Sequence, residues 1–305
     1  MKMIGFVGVG IMGKGMLKNL FEKLLVSNAP DEGFVIWNRN KSVCEEFISQ
    51  YNTSGSKRIR IADTAADVVK SCGITFSMLS TLDASIDVFD NESNGLLSAI
   101  SPGKILVDCA TLSPERMMFI SDTVHAKGGL FLEAPVSGSK VPAETGQLIF
   151  LCGGDEDVFK NEVVSQSLDA MGKAKFYFGP VGQGSRVKLV VNMIMGTMMS
   201  AFSEGLALGK ASDIPLDSLL QVLDLGAMSN PMFRGKGPAM IAGNFPTNFP
   251  LKHQQKDMRL ALELAAQKGV ELPTSRAAND NYLKAMAQPV DAGDEDFSAV
   301  FKAIP

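Results

Sequence analysis

The chain has 305 residues, of which 46% are hydrophobic and 20% charged, and its formal net charge is −4. This length predicts two domains, and the composition excludes a disordered protein. The negative charge and the single short basic stretch, 57–60, argue against nucleic acid or an anionic membrane as a partner. We expect no membrane-spanning helix, because no apolar run approaches the roughly 20 residues that a span needs.

Strand and helix patterns alternate through the first half of the chain. Helix-period segments such as 12–25 and 114–127 lie between short β-branched or aromatic runs. The predicted strands are residues 3–8, 34–38, 75–79, 105–108, 130–133, 148–152 and 175–178. This alternation indicates an α/β fold in which a doubly wound parallel sheet is covered by helices on both faces.

The pattern changes after Gly184. Helix-period stretches follow without a convincing strand, at 186–212, 215–225, 252–268 and 274–287. The glycine-rich turn 179–184 places the boundary between the α/β domain, 1–180, and an all-helical domain, 181–305. The first of these helices is long and would join the two domains. Residues 26–33 are predicted to form a surface loop.

A glycine-rich loop follows the first predicted strand directly. Gly8, Gly10 and Gly13 have the spacing of a dinucleotide-binding loop between strand and helix, with Ile11 and Met12 before the last glycine. Gly8 permits a tight turn, Gly10 lets a pyrophosphate approach the backbone, and Gly13 lets the helix pack closely. The helix N-terminus then faces the phosphates. These five residues are predicted to bind the cofactor; a glycine turn without a ligand is the alternative.

The residues at the end of the second predicted strand indicate whether the nucleotide is NAD or NADP. Enzymes that use NAD usually carry an Asp or Glu there, which accepts a hydrogen bond from the ribose 2′-hydroxyl. This chain has Asn38, Arg39 and Asn40 instead. Arg39 can pair with a 2′-phosphate through two hydrogen bonds, and Asn40 can donate another. We therefore predict NADP(H) as the cofactor; a solvated turn that carries an arginine is the alternative.

Four separated segments, 8–13, 133–139, 182–192 and 249–257, resemble the β-hydroxyacid dehydrogenase family in the family's order. Within that family the chain is most similar to the glyoxylate and succinic semialdehyde reductase branch. The resemblance implies that residues 1–180 form an NADP-binding, Rossmann-type domain and that residues 181–305 form a helical substrate and dimerisation domain. It also implies NADP(H) as the cofactor and a carboxylate-bearing substrate. Segments 28–32 and 53–60 look longer than the family pattern. The turn at Arg39-Asn40-Lys41 also departs from it, which leaves the contacts to the 2′-phosphate open.

Lys188 and Asn192 are four residues apart, so they share one face of a predicted helix. A carbonyl that accepts hydride develops negative charge on its oxygen, which a lysine ammonium can stabilise and then protonate. Asn192 would hold the lysine or the substrate oxygen by hydrogen bonds. A lone helical lysine is usually a solvated charge, but the apolar residues around this one predict a buried helix. The resemblance assigns Lys188 the catalytic role.

Other site residues are predicted in loops at the ends of strands. Ser137, Gly138 and Ser139 combine consecutive N–H groups with two hydroxyls, which suits a substrate carboxylate; a plain turn is the alternative. Residues that follow the strands at the carboxyl edge of the sheet are predicted to make further contacts with the cofactor. These are Met78, Leu79 and Ser80 near the ribose and phosphates, and, by resemblance, Thr111 beside the nicotinamide.

Three residues of the last matching segment complete the predicted site. Lys256 is interpreted as a contact to the cofactor or to a substrate anion, and Asp257 as a catalytic-site residue that orients the region of Lys188. A solvated Lys–Asp pair on the surface is the alternative for Asp257. Phe249 is expected to form a wall of the substrate pocket, with core packing as an equal alternative.

The predicted function is NADPH-dependent reduction of small aldehyde acids, glyoxylate to glycolate or succinic semialdehyde to 4-hydroxybutyrate. A 3-hydroxyisobutyrate-type dehydrogenase working oxidatively would use the same residues. A catalytically silent NADP-binding interaction module is a third possibility, against which the presence of Lys188 and Asn192 counts. No catalytic metal is expected, because His125 and His253 stand in no ligand cluster.

The cellular compartment and the oligomeric state are predicted from the cysteines, the position of the first strand and one apolar stretch. The dispersed cysteines and the early first strand favour a cytoplasmic protein, with an organelle as the alternative if a transit peptide has been removed. The apolar stretch 189–207 indicates that an interface covers it, as in a homodimer or homotetramer.

Overall fold

A computed structural model of the chain describes residues 3–26, 33–51 and 59–304. They divide into two compact units, Met1–Lys188 and Leu189–Pro305. Most of the predicted surface loop, 26–33, and most of the segment 53–60 lie outside the described residues. The domain boundary between residues 180 and 181 stays a prediction; it falls in the turn before the helix that runs from one unit into the other.

The first unit contains a nine-stranded sheet among its described residues. The strands are β1 (Ile4–Val7), β2 (Phe34–Trp37), β3 (Ile59–Ile61), β4 (Ile74–Ser77), β5 (Ile105–Asp108), β6 (Leu130–Glu133), β7 (Val136–Ser137), β8 (Leu148–Gly154) and β9 (Gly172–Tyr177). Six of them run parallel in the order β3-β2-β1-β4-β5-β6. This is the Rossmann order, in which the crevice for a dinucleotide opens where the strand order reverses, beside β1.

Helices cover both faces of this sheet. They are α1 (Ile11–Val26), α2 (Lys41–Tyr51), α3 (Ala65–Ser71), α4 (Leu82–Phe89), α5 (Pro114–Ala126), α6 (Lys140–Thr145), α7 (Glu156–Lys160) and α8 (Glu162–Met171). Side chains of each strand alternate between two cores: Phe34 and Ile36 belong to one, and Val35 to the other. Burial on both faces explains why these strands read as continuous apolar runs.

Part of the sheet departs from the predicted parallel arrangement. Strand β8 pairs antiparallel with β6 and β7, although it pairs parallel with β9. Only the short helix α6 separates β7 from β8, so the chain returns in the opposite direction, and a strand's periodicity does not encode its direction. The sequence also missed β7 and β3; each has at most three residues, and Arg60 interrupts the apolar pattern of β3.

The second unit is helical. Helix α9 (Gln183–Ala211) enters it from the first unit, and α10 (Leu216–Leu225), α11 (Pro231–Ile241), α12 (Leu251–Gln267), α13 (Pro273–Met286) and a 3₁₀ turn (Phe297–Ala303) follow. The fully buried Tyr282, Leu251 and Met258 lie in its core. Helix α11 was not predicted, because Gly235, Gly237 and Pro238 interrupt its pattern. The α/β domain followed by a helical domain and joined by a long helix is confirmed.

Helix α9 is long and apolar enough to cross a membrane, judged by length and composition alone. The expectation that no segment of the chain reaches this length is therefore wrong. In the most apolar window of the helix, 44% is buried inside the protein. The core helix of a soluble protein meets the same length and composition criteria, so they do not by themselves indicate a membrane span.

Candidate functional site

The glycine loop turns tightly between β1 and α1. Gly8 has a φ of +95°, and a Cβ added there would lie 2.3 Å from the carbonyl oxygen of Met78. A Cβ on Gly13 would lie 1.9 Å from the carbonyl oxygen of Gly8, so the helix can approach the loop only because Gly13 lacks a side chain. Gly10 differs, because a Cβ there would project into open space. That space is where the sequence places a pyrophosphate.

Asn38 ties the glycine loop to the end of β2. Its Oδ1 accepts a hydrogen bond from the backbone N–H of Val9 at 3.1 Å, and its Nδ2 donates to the carbonyl oxygen of Asn40 at 3.0 Å. Asn40 in turn accepts from the N–H and hydroxyl of Ser42 through its Oδ1, at the start of α2. The two asparagines therefore fix the turn that presents Arg39.

Eight of the predicted cofactor residues line one cleft of about 200 Å³ at the carboxyl edge of the parallel strands. They are Gly8, Gly10, Asn38, Arg39, Asn40, Met78, Leu79 and Ser80. The side chain of Arg39 is 79% exposed and its Nη1 lies 3.8 Å from Asp87 Oδ2, so the guanidinium stands at the rim in a loose pair. Trp37, Ala84 and Val88 also line the cleft but were not predicted from the sequence. Of these, Trp37 could have been predicted, because it is the last residue of β2 and directly precedes Asn38.

The remaining predicted residues of the loop and of β5 occupy the same edge of the sheet. Ile11 is half exposed at the start of α1, whereas Met12 packs against the core. Thr111 follows β5 and is half-buried. Before it, the fully buried Asp108 accepts hydrogen bonds through Oδ1 from Ser77 Oγ at 2.9 Å and Ala110 N–H at 3.2 Å. Burial raises the pKa of Asp108 to about 6.

The predicted carboxylate loop lies between β7 and α6. Ser137 is the last residue of β7, Gly138 adopts a φ of +131°, and Ser139 immediately precedes the helix. Both serines are half-buried and the glycine is exposed. The carbonyl oxygen of Ser139 accepts from the N–H of Ala143 at 3.0 Å. Both serines are thus partly accessible, as either a carboxylate site or a plain turn would require.

A buried carboxylate holds the start of α9. Glu133, at the end of β6, accepts hydrogen bonds through Oε1 from the N–H groups of Gly182 at 2.6 Å and Gly184 at 2.8 Å. Its Oε2 accepts from Ser185 Oγ at 2.6 Å. Burial raises the pKa of Glu133, although these hydrogen bonds lower it. The sequence assigned Glu133 no role, because nothing in its segment revealed which groups the carboxylate would meet.

Lys188 follows in the second turn of α9, and Asn192 lies one turn further on. The two residues are 5% and 2% exposed, which rules out a solvated surface lysine. Within the second unit, Asn192 Nδ2 donates to Asp257 Oδ2 at 2.6 Å. Gln254, fully buried and also on α12, donates to the carbonyl oxygen of Asn192 at 2.8 Å. Gln254 lies in the matching segment 249–257, but the sequence predicts no role for it because its partner is a backbone atom.

Asp257 is buried, so the solvated surface pair is excluded. Its side chain is 2% exposed, and its Oδ1 lies 3.1 Å from Lys256 Nζ. Lys256 thereby neutralises a carboxylate that is bonded to Asn192. Both residues belong to α12, and their contacts link this helix to the Asn192 turn of α9.

Phe249 precedes α12 in the second unit. Its ring lies 5.9 Å from that of Phe297 and 6.5 Å from that of His253. The buried Asp296 accepts from the N–H of Phe249 at 3.3 Å. These contacts fit the packing alternative, and the role of Phe249 as a pocket wall stays a prediction.

Comparisons with family profiles and with related proteins identify the family of this chain. The NAD-binding domain of 6-phosphogluconate dehydrogenase matches residues 3–179, and the NAD-binding domain of NADP-dependent 3-hydroxyisobutyrate dehydrogenase matches residues 182–304. Glyoxylate/succinic semialdehyde reductase 1 of Arabidopsis thaliana is 46% identical over 99% of the chain and 98% of its own length. The chain belongs to the β-hydroxyacid dehydrogenase family. It is thus an NAD(P)-dependent oxidoreductase by family, as its sequence predicted.

Two further comparisons place the chain within the family. The chloroplastic reductase 2 of the same plant is 44% identical over 99% of the chain and 79% of its own length. The human cytokine-like nuclear factor N-PAC is 35% identical, but the chain spans only 51% of it. A solved 3-hydroxyisobutyrate dehydrogenase from Salmonella typhimurium, 23% identical, superposes with a TM-score of 0.83 over 99% of both chains, which shows the shared fold.

Proposed function

We propose that the chain is an NADPH-dependent reductase of small aldehyde acids, converting glyoxylate to glycolate and succinic semialdehyde to 4-hydroxybutyrate. One observation carries the proposal: Lys188 and Asn192 are buried one turn apart on α9, and Asp257 holds Asn192. The names of the two Arabidopsis reductases, 46% and 44% identical to this chain, support the choice of substrates.

The cleft beside β1 suits NADP(H). It combines the open space at Gly10 with the exposed guanidinium of Arg39 at the end of β2, where a 2′-phosphate can be paired. Asn38 and Asn40 fix the turn and so position Arg39. When bound, the reduced nicotinamide supplies the hydride that is transferred to the carbonyl carbon.

Lys188 is the proton donor in this mechanism. As hydride reaches the carbonyl carbon, negative charge develops on the carbonyl oxygen, and the ammonium stabilises it and transfers a proton from Nζ. The products are an alcohol and the neutral amine of Lys188. A proton from solvent then converts this amine back to the ammonium. Asn192 orients the lysine or the substrate oxygen, and Asp257 restricts the rotation of the Asn192 amide.

The substrate carboxylate would be held by the loop at Ser137, Gly138 and Ser139, with Phe249 as an apolar wall. Thr111 would contact the nicotinamide, and Ile11, Met12 and Gly13 would place the start of α1 under the pyrophosphate. Lys256 would contact the cofactor or a substrate anion. For location, we propose the cytoplasm, with an organelle as the alternative because one relative is named chloroplastic.

A second candidate is oxidation of a β-hydroxyacid of the 3-hydroxyisobutyrate type, which the profile over residues 182–304 favours. A catalytically silent NADP-binding interaction module is the third candidate, and the buried Lys188 and Asn192 argue against it. Initial rates with glyoxylate, succinic semialdehyde and 3-hydroxyisobutyrate, each with both nucleotides, separate the three. Faster reduction of the aldehyde acids with NADPH supports the proposal. Faster oxidation of hydroxyisobutyrate selects the second candidate, and no turnover selects the third.

A further inference from the structure

A buried asparagine on α1 contacts the end of α6. Asn19 is 3% exposed, and its Nδ2 donates hydrogen bonds to the carbonyl oxygens of Ala143 at 2.8 Å and Glu144 at 3.2 Å. The same nitrogen donates to the carbonyl oxygen of Gly15, one turn earlier on α1, at 2.9 Å. The last four carbonyl groups of a helix have no partner within that helix. The amide of Asn19 satisfies two of those groups on α6.

Glycines let the two helices approach each other closely. A Cβ added to Gly15 would lie 2.7 Å from the backbone nitrogen of Glu144 and 2.8 Å from the carbonyl carbon of Ala143. A Cβ added to Gly146, just after α6, would lie 2.8 Å from Asn19 Oδ1. A glycine inside a helix is destabilising relative to alanine, so the close contact with α6 accounts for Gly15. Backbone contact and hydrogen bonds therefore hold the same junction.

Each of the two helices starts at a loop of the candidate site. Helix α1 begins in the glycine loop, where the N–H of Lys14 donates to the carbonyl oxygen of Gly10 at 2.9 Å. Helix α6 follows the carboxylate loop, and the N–H of Ala143 donates to the carbonyl oxygen of Ser139 at 3.0 Å. Ala143 thus contacts Asn19 through its carbonyl group and Ser139 through its N–H. Through this residue, α1 is joined to the carboxylate loop.

We propose that Asn19 is a positioning residue that holds the carboxylate loop at a fixed distance from the glycine loop. This inference rests on the proposed function, in which the first loop holds the substrate carboxylate and the second holds the cofactor. The distance between the loops then sets how far the carbonyl carbon of a bound substrate lies from the hydride that it accepts. A displacement of about 1 Å from the reacting geometry can lower a rate by about 100-fold.

Substrate length separates positioning from a general loss of stability. In glyoxylate the carbonyl carbon is bonded directly to the carboxylate carbon, so this substrate cannot absorb a shift of the carboxylate loop. Succinic semialdehyde has two methylene groups between these carbons, and rotation about their bonds can restore the reacting distance. Loss of the Asn19 contacts should therefore lower kcat/KM for glyoxylate much more than for succinic semialdehyde. A protein that is merely less stable would lose both activities in equal proportion.

Two variants loosen the junction by different means. Asn19→Ser keeps a hydroxyl that can donate to the carbonyl oxygen of Gly15, but its shorter side chain loses the contacts with α6. Gly15→Ala adds a methyl group that forces α6 away, although alanine is the better helix former. Lys104→Met is the matched control, because Lys104 Nζ also donates to two carbonyl oxygens at the end of a helix, those of Lys70 and Cys72, both at 2.9 Å. That helix, α3, carries none of the residues proposed for the site.

Initial rates with both acids and titration with NADPH, on the full-length chain, test the proposal. In Asn19→Ser and in Gly15→Ala, the ratio of kcat/KM for glyoxylate to that for succinic semialdehyde should fall at least about tenfold. The NADPH dissociation constant should stay nearly unchanged, and Lys104→Met should keep the wild-type ratio. An unchanged ratio in Asn19→Ser, or an equal fall in Lys104→Met, would overturn the positioning role and leave the proposed function intact. A wild type that reduces neither acid would overturn both.

Discussion

Ser185 Oγ donates a hydrogen bond of 2.6 Å to the buried carboxylate of Glu133, three residues before Lys188. The same carboxylate accepts the backbone N–H groups of Gly182 and Gly184, so one side chain at the end of β6 satisfies the first turn of α9. An anion at a helix N-terminus is also stabilised by the helix dipole. The sheet thereby sets the position and direction of the helix that carries Lys188.

Glu133→Gln should disturb both the fold and the position of Lys188. The amide cannot accept three hydrogen bonds as the carboxylate does, so the free energy of unfolding should fall by about 1–3 kcal/mol. The turnover number should fall while the NADPH dissociation constant stays nearly unchanged. Urea unfolding, single-turnover rates and NADPH titration measure these effects. Ser185→Ala, which removes one bond and keeps the charge, should be milder; an unchanged hydride-transfer rate in Glu133→Gln would restrict Glu133 to stability.

Asp108 should make stability depend on pH. Burial raises its pKa from 3.8 to about 6, although Ser77 and Ala110 donate to Oδ1 and Arg116 lowers the pKa. Oδ2 accepts no hydrogen bond from any described residue. Because the folded pKa is the higher one, the native state binds the proton more tightly. The stabilisation that the bound proton of Asp108 provides is complete below about pH 4 and is lost as the pH rises through about 6.

Asp108→Asn should remove this dependence. Between pH 4 and pH 7 the free energy of unfolding of the wild type should fall by about 2 kcal/mol relative to the variant. Urea unfolding at several pH values measures the difference. Asp157→Asn, which replaces an exposed carboxylate on α7, is the control and should follow the wild type. A constant difference between wild type and Asp108→Asn across this range would contradict ionisation of Asp108.

Arg39→Ala should change nucleotide preference. Loss of a charge-assisted contact to the 2′-phosphate should weaken NADPH binding by roughly 10- to 100-fold and leave NADH binding nearly unchanged. Dissociation constants for both nucleotides, measured by fluorescence titration, test this. Lys173→Ala changes an exposed cation on β9, outside the cleft, and controls for net charge. Equal losses for the two nucleotides would show that Arg39 does not recognise the 2′-phosphate.

The sequence predicted the elements of the first unit because burial leaves a direct pattern in them. Strand β1 is fully buried and reads as an apolar run, and the glycine loop after it has a spacing that few other structures require. The direction of β8 and the existence of β3 were not predicted. Strand direction depends on connections between strands, and a three-residue strand containing Arg60 has too few residues to show a period.

Whether a site residue could be predicted from the sequence depended on the kind of group that it contacts. Arg39, Lys188 and Asp257 carry groups whose chemistry suggests a role, and all were named from the sequence. Glu133 and Gln254 were not, because their partners are backbone groups of α9. A backbone partner has no residue type, so no sequence pattern identifies it until the fold brings the two together.

Lys188→Ala should remove catalysis and spare cofactor binding. Lys188 acts on the substrate oxygen as charge develops there, so its contribution belongs to the transition state. Loss of a positioned acid should reduce turnover by roughly 100-fold or more. NADPH should bind much as before, because the cleft that we assign to it is formed by β1, β2, β4 and their loops. Lys210→Ala, an exposed lysine in the last turn of the same helix, is the control and should keep full activity.

Lys188→Arg separates proton donation from charge. A guanidinium is almost never deprotonated, so it can stabilise the developing oxyanion but is a poor proton donor. If the proton is the larger contribution, this variant should recover little of the activity lost in Lys188→Ala. Single-turnover rates beside NADPH titrations for both variants decide the matter. Near-normal hydride transfer in Lys188→Ala would refute the mechanism, and lost NADPH affinity would move this lysine from the chemistry to cofactor binding.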